Sequence, residues 1–104
     1  MSDYQHHVYK LRAARTGMLT DGPEEYEASV VAEHYEYLMA LGAAGKLSLV
    51  GRTANNDETT FGLVVINSAD EAEAREIMEN DPAVKGGVMT AELYPFSMAF
   101  QSGT

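Results

Sequence analysis

Apolar residues recur every three or four positions along EYEASVVAEHYEYLMALGAAGKL, at Val30, Val31, Leu38 and Leu41. That spacing predicts a helix from about Pro23 or Glu27 to Ala44, with Pro23 and the acids after it suiting a helix start and Gly45 suiting a C-terminal cap. Before it, HHVYKLRAAR (residues 6–15) reads as a first strand, and residues 16–22 read as a surface loop or a flap over a site. After it, KLSLVGRTA (46–54) alternates as Leu47 and Leu49 against Ser48 and Val50, which predicts a second strand. NNDETT is a polar turn, and FGLVVIN (61–67) is a continuous β-branched run that predicts a central strand. Ser68 and Glu71 have capping-box spacing ahead of a second helix at about 69–80, with Ala74, Ile77 and Met78 inside. Asn80-Asp81-Pro82 stops that helix, since a proline disfavours helical geometry in the residue before it. AVKGG connects to a last strand in VMTAELYPFSMAF.

The order strand–helix–strand–strand–helix–strand predicts an α+β, ferredoxin-like βαββαβ fold: one domain over residues 1–104, a four-stranded antiparallel sheet with two helices on one face. The opposite face also carries apolar residues: Phe61, Leu63 and Val65 from the third strand, and Tyr94, Phe96, Met98 and Phe100 from the last. Two helices cover only one face. A homodimer that packs two such sheets face to face is therefore expected.

Charge narrows the partners. Sixteen acidic against seven basic residues give a formal net charge of -9, which repels phosphate backbones and argues against nucleic acid. With no cysteine, disulfide scaffolds and thiolate metal sites are excluded. The polar start MSDYQHHVYK does not read as a signal peptide, and no apolar run approaches the ~18 residues a membrane span needs, so a cytoplasmic protein without membrane contact is expected. His6 and His7, adjacent on a strand, point to opposite faces and make no metal pair; no metal and no cofactor are expected.

The candidate chemistry starts at His34. Residues three and four away along the helix are Val30, Val31 and Leu38, so the imidazole belongs to the apolar stripe while Glu33 and Glu36 turn to solvent. An inward histidine is either a bonded structural group or an acid–base residue. Asp81, three and four residues after Met78 and Ile77, continues the inner side of the second helix, though Asp-Pro is also ordinary turn chemistry. An aspartate beside a histidine fixes its tautomer and makes a proton-transfer pair. Arg52, after Gly51 at the end of the second strand, is a candidate for holding a small anionic ligand through two parallel bonds, or else a solvated rim residue. Tyr26, Tyr35 and Tyr37 are candidates for lining a cleft. Glycine-rich phosphate loops, dinucleotide fingerprints and G-x-S-x-G are absent from the sequence.

In order and spacing, H-Y-E-Y-L at 34–38, G-K-L-S-L-V-G at 45–51, F-G-L-V-V-I at 61–66, N-D-P-A-V-K-G-G-V at 80–88 and E-L-Y-P-F at 92–96 resemble the YCII-related (YciI-like) proteins. The resemblance implies a ferredoxin-like domain of the dimeric α/β-barrel group. It also implies an active-site pair formed by a helix histidine and a D-P aspartate, which fall on His34 and Asp81. Some relatives resemble lyases that remove halide from chlorinated aromatic breakdown products; the wider group includes lactone isomerases and small monooxygenases. This chain departs from the common pattern at Gly51-Arg52, where many relatives have Gly-Pro, and at Ser29, Val30 and Val31, where many have a basic residue. It also carries the additional segment GMLTDGPEEYE. A chemically different pocket is expected, and dehalogenation does not carry over.

Three functional readings follow. The first is a cofactor-free lyase, isomerase or hydrolase with His34 as general acid or base, Asp81 orienting it, and Arg52, Gly51 and Tyr37 around the substrate. The second is a non-catalytic module that binds a small ligand or a protein partner. In the third, both polar residues are structural.

Overall fold

Strand β1 (His6–Ala13) opens the computed structural model, which describes residues 6–102. Residues 1–5 of the polar start MSDYQHHVYK lie outside the described residues. A short helix α1 (Gly17–Thr20) leads to the long helix α2 (Glu25–Ala43), then come strands β2 (Leu47–Arg52) and β3 (Gly62–Ile66), helix α3 (Glu71–Glu79), short helix α4 (Pro82–Lys85) and strand β4 (Met89–Phe96). The strands form one antiparallel sheet in the order β2-β3-β1-β4, the ferredoxin-like arrangement, with helices on one face.

Register decides what faces the helices. Tyr9 lies opposite Val64 and Leu93, and Leu11 opposite Ala91. These residues share one face and pack with Leu38, Ala74, Ile77 and Met78 into the core. On the other face the middle is already buried within one chain, at Val8 and Val65. Its flanks are open: Leu49 is 53% and Tyr94 46% exposed.

Several boundaries differ from the sequence expectation, each for a local reason. Segment 16–22 is not a plain loop: α1 forms there because Met18 is buried against Val30 and Val88. Helix α2 begins after Pro23, because Glu24 caps it in a capping box with Glu27. Ser68 does not cap α3. Asp70 does, accepting from the N–H groups of Ala72 and Glu73, while the Ser68 hydroxyl donates to Glu73 Oε1 at 2.6 Å. The connection after Asp81 coils into α4, and β4 ends at Phe96, before SMAF. In β2 a register shift between Leu47 and Leu49 breaks the expected alternation: Leu47 pairs with Ile66 and Leu49 with Val65, so the two leucines face opposite sides. The same shift brings Val50 level with Val64, on the helix side. Gly45 (φ 77°) follows the last turn of α2 in the left-handed conformation expected of it.

The turn after β1 is tied to α2 by one ion pair. Arg15 Nη2 lies 2.5 Å from Glu27 Oε1, and Arg15 Nε donates to Oε2 at 2.9 Å. The Glu24 N–H donates to the same Oε1 at 2.8 Å. The Arg15 bond first, and the backbone bond second, hold the Glu27 carboxyl at about 2, below its ordinary 4.5. A group depressed in the folded state stabilises it above the ordinary value and loses that contribution as pH falls through the depressed one. Glu27→Gln, which can still cap, should be less stable than the parent in urea at pH 7, and the gap should close between pH 4.5 and about 2. A gap constant across that range would show that the charge contributes nothing.

Candidate functional site

Pro82 keeps Asp81 out of the helical region (φ −61°, ψ 125°), so Asp81 becomes the N-cap of α4 and accepts the Ala83 N–H on Oδ1 at 2.9 Å. Turn chemistry therefore does hold at this residue, and it is not all the residue does. The Tyr9 hydroxyl donates to Oδ2 at 2.7 Å, and His34 Nδ1 lies 2.7 Å from Oδ1. Asp81 has no exposed surface. Burial first, and the adjacent Asp81 next, push the Tyr9 phenol well above its ordinary range, so it keeps its proton and acts only as a donor.

His34 stands on α2 at the wall of a cavity of about 370 Å³. The helix turns by about 100° per residue. Leu38, Val31 and Tyr35 are therefore rotated from His34 to one side, by about 40°, 60° and 100°, and all three line the cavity. Val30, Tyr37 and Tyr26 are rotated by about 40°, 60° and 80° to the other side. Tyr26 reaches α4, its hydroxyl donating to the Gly86 carbonyl at 2.8 Å, and Tyr37 reaches α3, donating to the Ile77 carbonyl at 2.7 Å. His34 sits on the boundary, with Nδ1 towards Asp81 and its side chain 12% exposed. Nε2 has no partner among the described residues and is the ring nitrogen left for the cavity. The remaining wall is largely apolar, with Leu11 from β1, Val50 from β2 and Phe61, Leu63 and Val64 at β3.

The other candidates fall in different places. Gly51 and Arg52 border the cavity. The Arg52 guanidinium, however, turns into the following loop: Nε donates to the Thr53 carbonyl at 2.9 Å, and Nη2 to the Asn55 carbonyl at 3.0 Å and to Asn56 Oδ1. Three of its donors go to loop oxygens, which corrects the picture of an arm free to grip an anion through two parallel bonds. Tyr37 is also corrected. It does not line the cavity, because its hydroxyl is bound on the α3 side of the helix. Tyr35 takes the place expected of it. Two residues were missed. Tyr9 lies in the stretch read as the first strand and was not singled out, yet a tyrosine facing a core needs a partner for its hydroxyl. Arg12, also at the cavity wall, lies in the stretch read as the first strand and was not singled out. Among the described residues no group of three histidine, cysteine or acidic side chains could hold a metal ion.

The chain matches the YCII-related domain over residues 8–97 and belongs to that family. Among solved structures it is similar to the 5-chloro-2-hydroxyhydroquinone dehydrochlorinase of Burkholderia phenoliruptrix AC1100, in complex with 2,5-dihydroxybenzoquinone, with a TM-score of 0.62 and 22% identity over 88% of this chain and 93% of that one. That likeness establishes the shared fold. No curated protein matches the chain.

Removing the Asp81 carboxylate strands three donors at once. Asp81→Ala should cost on the order of 3 kcal/mol or more in urea denaturation, against about 1–2 kcal/mol for His34→Ala, which leaves the tyrosine and backbone donors in place. Equal losses would mean that the carboxylate is not the hub of the group.

Proposed function

We propose that this protein is a cofactor-free enzyme acting on a small, ring-bearing, anionic organic molecule, with His34 as general acid or base and Asp81 orienting it. The observation that carries this reading is the 2.7 Å contact between His34 Nδ1 and the unexposed Asp81, made at the wall of an apolar cavity. The pair commits one ring nitrogen and leaves the other for a ligand proton. The apolar wall suits a ring, and Arg12 and Arg52 at the wall favour negative charge. Proton transfer at Nε2 serves an elimination, an isomerisation or a hydrolysis equally, and the similar dehydrochlorinase, with its quinone complex, points to hydroxylated and quinonoid rings as first probes.

A panel of halogenated hydroquinones, hydroxybenzoquinones and aromatic carboxylates, followed by chromatography for product, tests this. A turned-over compound whose kcat falls about 10²–10⁴-fold in His34→Ala, with a smaller change in KM, is the expected result. A ligand that binds, weakens in His34→Ala and is never altered would support instead the non-catalytic binding module.

We further propose that a second copy covers the flanks of the sheet left open at Leu49 and Tyr94, a reading supported by apolar exposure on a face the helices do not reach. Sedimentation at micromolar concentration should give about twice the chain mass of 11.3 kDa. A mass of one chain would remove this proposal.

A further inference from the structure

The acid–base pair leaves a third buried group without a role. Tyr9 lies on the central strand β1, opposite Val64 and Leu93, and has no exposed surface. Around it pack the apolar side chains of the core, and its hydroxyl donates to Asp81 Oδ2 at 2.7 Å.

Consider what this does to Asp81. Oδ2 is claimed by a phenol anchored in the middle of a sheet, and Oδ1 by the Ala83 N–H at the start of α4. Neither donor can turn away, since one is backbone and the other sits on a paired strand. The carboxylate is held against rotation from both ends. A phenol that keeps its proton and a backbone amide both donate to the carboxylate. Asp81 can then only accept from His34, so the proton of a neutral imidazole lies on Nδ1 and the lone pair on Nε2, the nitrogen left for the cavity.

We propose that Tyr9 is a positioning residue: it locks the Asp81 carboxylate so that His34 presents its Nε2 lone pair to the cavity. This rests on the acid–base reading of His34 for its purpose, but the arrangement itself can be observed without any substrate.

Long-range 15N–1H NMR of the histidine side chains distinguishes the tautomers directly. At about pH 8.5, above the ordinary histidine range, wild-type His34 should appear only as the Nδ1–H form. In Tyr9→Phe the carboxylate gains freedom to rotate. The Nε2–H form should then appear beside the first, and exchange of the Nδ1 proton with water should rise about tenfold. A folded Tyr9→Phe with one unchanged tautomer and unchanged exchange would make Tyr9 core filler and overturn the proposal. So would a wild-type His34 that is mixed or Nε2–H. Should Tyr9→Phe not fold, the wild-type protein decides. A slowly exchanging Tyr9 hydroxyl proton, close in space to the His34 Nδ1 proton, supports the lock; a phenol in fast exchange refutes it. Turnover that survives in His34→Ala while the tautomer result holds would defeat the acid–base reading and leave the lock standing.

Discussion

One buried charge organises this fold. A carboxylate taken out of water costs several kcal/mol unless hydrogen bonds replace its hydration. Asp81 meets that condition with donors from three places: Tyr9 on β1, His34 on α2 and Ala83 at the start of α4. The same three bonds therefore fasten the sheet, the long helix and the short helix to one point. A close approach supports it. At Gly86, a Cβ would stand 2.9 Å from the Pro82 carbonyl, 3.1 Å from the Tyr26 hydroxyl and 3.3 Å from Val30 Cγ1, so the end of α4 rests against α2 only because that position has no side chain. Anything that separates α4 from α2 also moves Asp81 away from His34.

That fastening divides α2 lengthwise. On one side of His34 the helix is fastened to α4 and α3, through Tyr26, Val30 and Tyr37. On the other side it borders the cavity, through Val31, Leu38 and Tyr35. The imidazole stands where the two meet, with one nitrogen in the packed half and the other left for the open half. An apolar wall also limits competition from water, which strengthens the contact between imidazole and carboxylate.

Much of this was legible in the chain, because periodicity reports which face a residue occupies. The 3–4 spacing of Val30, Val31, Leu38 and Leu41 put His34 inside. The spacing of Ile77 and Met78 ahead of Asp81 put the carboxylate on the inner side of the neighbouring helix. Periodicity does not report what lies to the left or right of a face. Tyr37 is three residues from His34 and belongs to the same broad stripe, yet it turns towards α3 and not towards the cavity. Nor does alternation reveal a slipped residue. The register shift in β2 separates Leu47 from Leu49 and carries Val50 to the cavity wall. Tyr9 was hidden for another reason: its ring obeys the apolar pattern, and only its hydroxyl takes part in the site.

The rim of the cavity follows from the same competition for hydrogen bonds. Between β2 and β3 the chain holds itself. Asp57 Oδ1 accepts from the side-chain N–H of Asn55, from the Thr59 N–H and from the Thr59 hydroxyl, while the buried Thr60 hydroxyl donates to the Asn55 carbonyl at 2.7 Å. Arg52 joins this network through three of its donors. At the end of β2 the arginine after Gly51 fastens the loop from outside. Arg52 thus shapes the edge of the cavity chiefly by holding the loop, and its charge acts on the interior from that fixed position. The His34 imidazole, in contrast, stands on α2 with Asp81 behind it.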